Sequence, residues 1–137
     1  MMTLNQFICE HDVDFAAYLV NINFLKFAEE KLGVKFGKEL NEYLMEYGYL
    51  GFESVELYGM NSRQQMDSDM IKQTLYLHQY FPITKSYIAL ENFGEGDYIL
   101  VDENDNTFKF ISENNQLIPC NLKLFAYILQ RFQNELN

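Results

Sequence analysis

Several hydrophobic residues between Ser86 and Phe110 recur at a spacing of two, which places them on one face of a β-strand. Six of them form three pairs, each on one face of a strand: Tyr87 and Ala89, Tyr98 and Leu100, and Phe108 and Phe110. The residues between the pairs are rich in Gly, Asp and Asn, which favour turns. The sequence therefore predicts three short strands joined by two acidic turns, and this sheet is expected to form the core.

The first half of the chain carries helical spacing instead. One helix is predicted over Val13 to Val20. A second is predicted to follow an N-cap at Asn23 and to end at Gly33, because glycine readily adopts the left-handed conformation that closes a helix. The third helix, Lys38 to Tyr47, has the most regular apolar face, which consists of Leu40, Tyr43, Leu44 and Tyr47.

Two further helices are predicted on either side of the strands. The fourth begins at Ser68 or Asp69 and ends at Pro82, since proline lacks the N–H group that a helix needs. Its predicted apolar stripe is Ile71, Leu75 and His78. The fifth opens at Pro119 and Asn121, and it is expected to dock on the sheet through Leu122, Phe125, Leu129 and Phe132.

The stretches between these helices complete the fold prediction. Tyr49 to Phe52 is expected to turn the chain, Ser54 to Tyr58 alternates as a strand does, and Asn61 to Met66 is predicted as a loop. The order of elements indicates an α+β fold, with an antiparallel sheet of about four to six strands covered by helices on one side. No repeat or long linker divides the chain, so residues 1–137 are predicted to form a single domain.

The charge balance narrows the range of partners. The chain carries 20 Asp and Glu residues against 10 Lys and Arg, a formal net charge of −10. Such a charge repels nucleic-acid phosphates and anionic membranes and attracts basic partners. It also keeps a protein with 12 Phe and 10 Tyr residues soluble. Neither a nucleic acid nor a membrane is therefore expected as a partner, whereas the charge alone leaves open whether a basic protein binds.

Three features predict a cytoplasmic protein. The amino terminus lacks the basic segment of an export signal, since the first Lys or Arg is Lys26. The most apolar run, Phe15 to Ala28, contains polar residues and is shorter than the roughly 20 residues that span a bilayer. Cys9 and Cys120 are far apart in the sequence, and both are expected to be free thiols, as in a reducing compartment.

Two segments contain residue types that bind metal ions. Positions one, three, five and twelve of a calcium-loop pattern are occupied by Asp102, Asn104, Asn106 and Glu113. The sixth position is Thr107 rather than the glycine that the sharp turn needs, so a hairpin turn is the favoured interpretation. Cys9, His11 and Asp12 form a cluster without the second Cys/His pair of a structural zinc site. No metal or other cofactor is therefore predicted.

No catalytic motif is recognisable in the sequence. His11 and His78 lack the neighbouring nucleophile and orienting acid of a triad. Gly94 to Asp97 holds acidic residues that would repel a phosphate, and a turn between strands accounts for it. The sequence leaves open whether two carboxylates form a glycosidase-type pair, because 20 acidic residues form many pairs. The sequence therefore predicts a protein that is not an enzyme.

Several segments together resemble the SMI1/KNR4 family, also called the SUKH superfamily. They are two helices that end in Leu-Gly and Tyr-Gly, the segment VELYGM, the segment YIALENFGEGDYILVDENDNTFKF, and the closing helix LKLFAYILQRF. These segments follow the family's order from Phe24 to Phe132. Three features depart from it: Phe36 and Gly37 stand where members usually carry a proline, the chain has no Trp, and residues 1–21 have no counterpart.

The resemblance implies an SMI1/KNR4-like fold and a binding function. Bacterial members are mostly immunity proteins that neutralise toxins, often nucleases, by direct binding, and fungal members are regulators tied to cell-wall synthesis and signalling. For this chain it implies an immunity protein with a basic toxin as partner, and the alternative is a regulatory scaffold without a toxin. The sequence leaves open whether the protein is a monomer or a homodimer. The predicted contact residues are the acids of the two turns: Glu95, Asp97, Asp102, Glu103 and Asp105.

Overall fold

The structure is a computed structural model that describes residues 1–16, 20–60 and 68–136. These residues form five α-helices: α1 (Leu4–Glu10), α2 (Ile22–Leu32), α3 (Lys38–Glu46), α4 (Asp69–Tyr80) and α5 (Leu124–Asn134). They also form seven strands: β1 (Asp14–Phe15), β2 (Leu50–Phe52), β3 (Val55–Glu56), β4 (Ile88–Gly94), β5 (Asp97–Val101), β6 (Asn106–Ile111) and β7 (Gln116–Lys123). The strands make two antiparallel sheets, ordered β1-β2-β3 and β4-β5-β6-β7. The predicted α+β class is confirmed.

The four-stranded sheet contains the three predicted strands and packs on both faces. On one face, Leu77 of α4 packs with Ala89, Tyr98, Leu100 and Phe110. On the opposite face, the main core includes residues of α2, α3 and α5 together with Ile88, Leu90, Ile99 and Val101. Successive residues of β4 and β5 are apolar, and alternate residues point to opposite faces. Helices therefore cover both sides of this sheet, and not one side as predicted.

The predicted helices α2 and α3 are confirmed, with small shifts at their ends. α2 begins after Asn21 rather than Asn23, because the Asn21 side-chain oxygen accepts a hydrogen bond from the N–H of Phe24 (2.9 Å). Gly33 closes α2 in the left-handed conformation, with φ of 71°. α3 ends at Glu46, and its buried residues are Leu40, Tyr43 and Leu44.

The smaller sheet differs from the prediction in two places. Asp14–Phe15 is a strand, so the helix expected over Val13 to Val20 is wrong there, and residues 17–19 lie outside the described residues. Leu50–Phe52 is β2 and not a turn, because it pairs with β1 on one side and β3 on the other. All the residues of β2 are buried, so no alternation of polar and apolar residues marks the strand in the sequence.

The end of the chain holds a strand that the sequence pattern hides. Gln116–Lys123 form β7, so the final helix opens at Leu124 and not at Pro119 and Asn121. A proline is compatible with β7 because it is an edge strand of its sheet. Of the predicted stripe only Phe132 is fully buried; the buried face of α5 is Leu124, Tyr127, Ile128 and Phe132.

Helix α4 has its predicted ends but a rotated apolar face. Its buried residues are Met70, Ile71, Thr74 and Leu77. The hydroxyl of Thr74 accepts a hydrogen bond from the N–H of Ala89 (2.9 Å), which turns this face toward β4. Leu75 is therefore 36% exposed, and His78 is half-buried with a ring nitrogen 2.8 Å from the carbonyl oxygen of Tyr87.

The first residues of the chain join the main core through α1. A capping box between Thr3 and Gln6 starts this helix. Phe7 is fully buried, and its ring centroid lies 5.2 Å from that of Phe52 and 6.0 Å from that of Phe132. The main core thus includes α1 as well as the segments from which the fold was predicted.

The sequence predicts a strand and a loop between β2 and α4. The strand expected at Ser54 to Tyr58 is the shorter β3, and the loop expected at Asn61 to Met66 lies outside the described residues. No helix within the described residues is long and apolar enough to cross a membrane.

Candidate functional site

A cleft of about 860 Å³ lies beside the three-stranded sheet and the second half of β4. Tyr49, Ser54 and residues 56–60 line it from the side of the small sheet, and residues 91–94 line it from the side of β4. The backbone N–H of Tyr58 donates to the carbonyl oxygen of Leu90 (2.6 Å), so the two sides are joined by a direct hydrogen bond. A volume of this size is within the roughly 300–1,000 Å³ of ligand-binding pockets.

Glu91 is the buried acid of the cleft, with 3% of its surface exposed. Its carboxylate accepts hydrogen bonds from the hydroxyl of Tyr127 (3.0 Å) and from Nε (3.1 Å) and Nη2 (2.9 Å) of Arg131. Burial lowers the pKa of the Arg131 guanidinium, but the hydrogen bonds and charge of Glu91 outweigh that effect and raise the pKa above its ordinary value. Burial and the adjacent Glu91 raise the pKa of Tyr127. Glu91 and Arg131 thus neutralise each other inside the protein.

Phe93 is an exposed aromatic residue at the cleft, with 43% of its surface accessible. The guanidinium carbon of Arg131 lies 5.1 Å from the centre of its ring, and Nζ of Lys109 lies 5.7 Å from it. Both distances are within the range of cation–π attraction. Nζ of Lys109 also lies 4.0 Å from a carboxylate oxygen of Asp97. These contacts hold Phe93 close to the β4–β5 turn.

The remaining charge of the cleft is negative. Its described lining contains the carboxylates of Glu56, Asp69 and Glu91 and the guanidinium of Arg131, so three negative charges and one positive charge leave a net charge of −2. Glu91 is paired with Arg131, whereas Glu56 and Asp69 are exposed and have no ion-pair partner within the described residues. The cleft is therefore suited to a cationic group and not to an anion.

The five predicted contact acids do not form one surface. Glu95 and Asp97 belong to the turn between β4 and β5, next to the cleft residue Gly94. Asp102, Glu103 and Asp105 follow β5 at its opposite end. Four residue steps of strand at roughly 3.4 Å each place the two turns about 14 Å apart. Of the two turns, the first is therefore the one next to the cleft.

The second turn uses two of its acids for its own structure. Asp102 accepts hydrogen bonds from the N–H groups of Asn104 (2.9 Å) and Asn106 (2.9 Å). Asp105 is only 6% exposed, and its carboxylate accepts hydrogen bonds from the N–H groups of Glu39 (2.9 Å) and Leu40 (3.0 Å) at the start of α3. Its side chain is turned into the protein, which corrects the prediction that it faces a partner. Glu103 is exposed.

The two segments with metal-binding residue types lie in different elements of the fold. Asn106–Ile111 form β6, and Glu113 lies in a short 3₁₀ helix beyond its end, so the predicted calcium-loop pattern spans a strand. Cys9 is exposed on α1, Cys120 is half-buried on β7, and both are free thiols. The ring of His11 stacks on Phe7 with centroids 4.1 Å apart. No group of three or more His, Cys, Asp or Glu residues within the described chain could hold a metal ion.

The residues that make the cleft carry no motif in the sequence. Glu91, Phe93 and Arg131 lie on β4 and α5, and Glu56 and Asp69 lie on β3 and α4. One signal was available: Glu91 interrupts an apolar run in a strand, and a charged residue in such a position needs a buried partner. The identity of that partner depends on how α5 docks, which the sequence pattern did not predict correctly.

The comparisons with known proteins give one family. The family model described as "SUKH_5: SMI1-KNR4 cell-wall" matches residues 9–117. The matched range contains every described lining residue of the cleft except Arg131, which lies beyond it on α5. A search of curated proteins found no match.

Proposed function

The chain belongs to the SMI1/KNR4 family, and from this premise we propose that it is an immunity protein that neutralises a basic toxin by binding it directly. The observation that carries the proposal is the net charge of −10 on a member of this family. The protein acts by occupying a surface of the toxin and carries out no reaction of its own. A nuclease is the kind of toxin that fits best.

Charge complementarity supports a basic partner. Opposite charges on two proteins speed their encounter and exclude partners of like charge. A nuclease presents basic groups where the phosphates of its substrate bind. Carboxylates of an acidic protein can occupy those positions and block the substrate. The same charge argues against nucleic acid as the direct ligand of this chain.

The β4–β5 turn and the adjoining rim of the cleft are the proposed contact surface. Glu95 is exposed, Asp97 is half-buried beside it, and Phe93 supplies an exposed aromatic ring. Binding energy in protein interfaces concentrates in a few anchors, among which aromatic side chains are enriched. A ring held in place by Arg131 and Lys109 loses little conformational entropy on binding.

The test is to produce the chain together with the toxin domain encoded beside its gene. We expect cells that make both proteins to grow and the two proteins to co-purify. The double variant Glu95→Lys/Asp97→Lys should weaken the complex by about tenfold or more, because it reverses two charges at the contact surface. The matched variant Glu103→Lys changes one exposed charge at the far end of β5 and should alter the affinity by less than about threefold.

Two results would count against the proposal. Cells that die despite production of the folded chain, with no complex recovered, would overturn it. Co-purification with a different protein and no protection would favour the alternative, a regulatory scaffold that binds no toxin.

A further inference from the structure

We propose that the cleft is a binding site for an arginine side chain of the protein partner. This inference rests on the proposed function, which supplies a basic protein as the partner. It adds a defined pocket and a defined side chain to the acidic surface described above.

Within the described residues, the cleft carboxylates without an ion-pair partner are those of Glu56 and Asp69. Arg131 cannot neutralise them, since its guanidinium is engaged by Glu91 at 2.9 Å and lies 3.6 Å from Glu135. Burial raises the pKa of Tyr58, a hydrogen bond with Asn92 lowers it, and the nearby carboxylates of Asp69 and Glu91 have smaller effects that raise it. A positive group that enters the cleft beside Tyr58 would be attracted to these carboxylates.

The cleft already binds one guanidinium in the manner expected for the guest. Arg131 forms two hydrogen bonds with a carboxylate and lies over an aromatic ring, with its Cζ 5.1 Å from the centre of Phe93. Elsewhere the described lining offers the same types of group, with carboxylates on Glu56 of β3 and Asp69 of α4 and the rings of Tyr49 and Tyr58. A guanidinium suits such a site better than an ammonium, because it is planar, stacks on rings and donates two parallel hydrogen bonds.

The experiment titrates the ¹⁵N-labelled full chain with the peptide N-acetyl-Gly-Arg-Gly-amide and follows amide chemical shifts. We expect saturable shifts at Tyr58, Asp69 and Asn92, with an affinity in the millimolar range for so small a ligand. Replacing arginine by citrulline, which keeps the shape and removes the charge, should weaken binding at least about tenfold. Lysine in place of arginine should also bind more weakly, because it lacks the planar fork.

Matched variants separate the cleft from general charge. Glu56→Gln/Asp69→Asn should abolish saturable binding, whereas Glu103→Gln removes an exposed carboxylate elsewhere and should leave it unchanged. Both side chains in the double variant are exposed, so the fold is expected to persist, and unchanged amide shifts in the core check this.

The inference is overturned if no saturable shifts appear, if the citrulline or lysine peptide binds equally well, or if the shifts map to the Asp102–Asp105 turn. These outcomes are independent of the proposed function. A toxin complex that forms normally with Glu56→Gln/Asp69→Asn would remove the arginine site and leave the immunity proposal standing. If an arginine peptide binds in the cleft but the chain does not neutralise the toxin, the arginine site would stand and the immunity proposal would fall.

Discussion

Glu91 links the fold to the candidate site. Its carboxylate is almost fully buried, yet it lines the cleft and joins β4 to α5 through Tyr127 and Arg131. A buried charge is tolerated only when it is paired and hydrogen-bonded. The loss of its partner would therefore affect both the stability of the protein and the shape of the cleft.

Replacing Arg131 by alanine tests this role. Glu91 would keep the Tyr127 hydroxyl and lose its counter-charge, so we expect the free energy of unfolding to fall by about 3 kcal/mol. Lys109→Ala is the matched control, since Lys109 also lies near Phe93 but forms a 4.0 Å ion pair with both side chains partly exposed. Its loss should cost less than about 1 kcal/mol. Urea denaturation measures both, and equal effects would contradict the account.

Buried tyrosines predict how stability depends on alkaline pH. Burial raises the pKa values of Tyr43 and Tyr127 above 10.0, whereas tyrosines in the unfolded chain ionise near that value. Above about pH 10 the unfolded state therefore binds fewer protons than the native state, and the free energy of unfolding falls as the pH rises. Each such group contributes a slope of up to about 1.4 kcal/mol per pH unit.

The variant Tyr43→Phe isolates one of these groups. At pH 7 it loses the hydrogen bond to the Tyr58 carbonyl oxygen (2.7 Å), and we expect a cost of about 1 kcal/mol. Above about pH 10 its stability should fall less steeply than that of the original protein, so the two curves converge. Tyr80→Phe, at a residue that is 60% exposed, is the control. Its curve of unfolding free energy against pH should parallel that of the original protein. Parallel curves for Tyr43→Phe would contradict the assignment.

At the scale of elements, the starts of α3 and α5 are bound by side chains from distant segments. Asp105, in the turn between β5 and β6, accepts hydrogen bonds from the N–H groups of Glu39 (2.9 Å) and Leu40 (3.0 Å) at the start of α3. The side chain of Glu39 in turn accepts from the N–H of Phe125 (2.8 Å) at the start of α5. Asp105 therefore positions the start of α3, and Glu39 of α3 positions the start of α5.

Gly37 and Asp105 are expected to be energetically coupled. A Cβ atom on Gly37 would lie too close to the Asp105 carboxylate, so Gly37→Ala would displace it from α3. We expect Gly37→Ala and Asp105→Asn each to cost about 1–2 kcal/mol, as the loss of a helix cap does. Their double variant should cost clearly less than the sum, because both changes weaken the same pair of hydrogen bonds between Asp105 and the start of α3.

Gly33→Ala provides the additive control for this cycle. It strains the left-handed cap of α2, but a Cβ there meets no atom within 4 Å. Combined with Asp105→Asn it should give the sum of the two costs, measured by chemical denaturation. Additivity in the Gly37 cycle would show that Asp105 does not cap α3.

The elements that the sequence predicted have either a regular apolar stripe or strong turn residues at their ends. Helices α2 and α3 carry regular stripes with a glycine at the end of α2, and the hairpins around β5 have strong turn residues. β2 is buried throughout, and β7 contains Pro119 and Asn121, which resemble the start of a helix. For these two strands, pairing with neighbours overrides the local pattern, and pairing is not visible in one sequence.

The candidate site could be predicted only in part, for the same reason. The acidic residues of the turns were identified from turn chemistry, which does not distinguish Glu95, at an exposed corner, from Asp105, under the start of α3. The cleft combines residues from β3, α4, β4 and α5. Its assembly depends on tertiary packing, so no spacing within the chain could indicate it.

At the scale of the whole molecule, the acidic charge is concentrated at more than one place. The β4–β5 turn adjoins the acidic cleft, while the turn at the other end of β5 has two of its three acids engaged in local structure. A net charge of −10 draws a basic partner toward the molecule from all sides. We propose that the cleft and the adjoining turn then determine where such a partner binds.

The most direct test of this account is the rate at which the purified chain associates with the neighbouring toxin domain, measured by stopped-flow at about 50 mM and about 500 mM salt. We expect a complex that abolishes the toxin's activity, with an association rate that falls at least about tenfold between the two conditions. The absence of a complex, or a rate that does not change with salt, would contradict the claim that this acidic protein acts by binding a basic toxin.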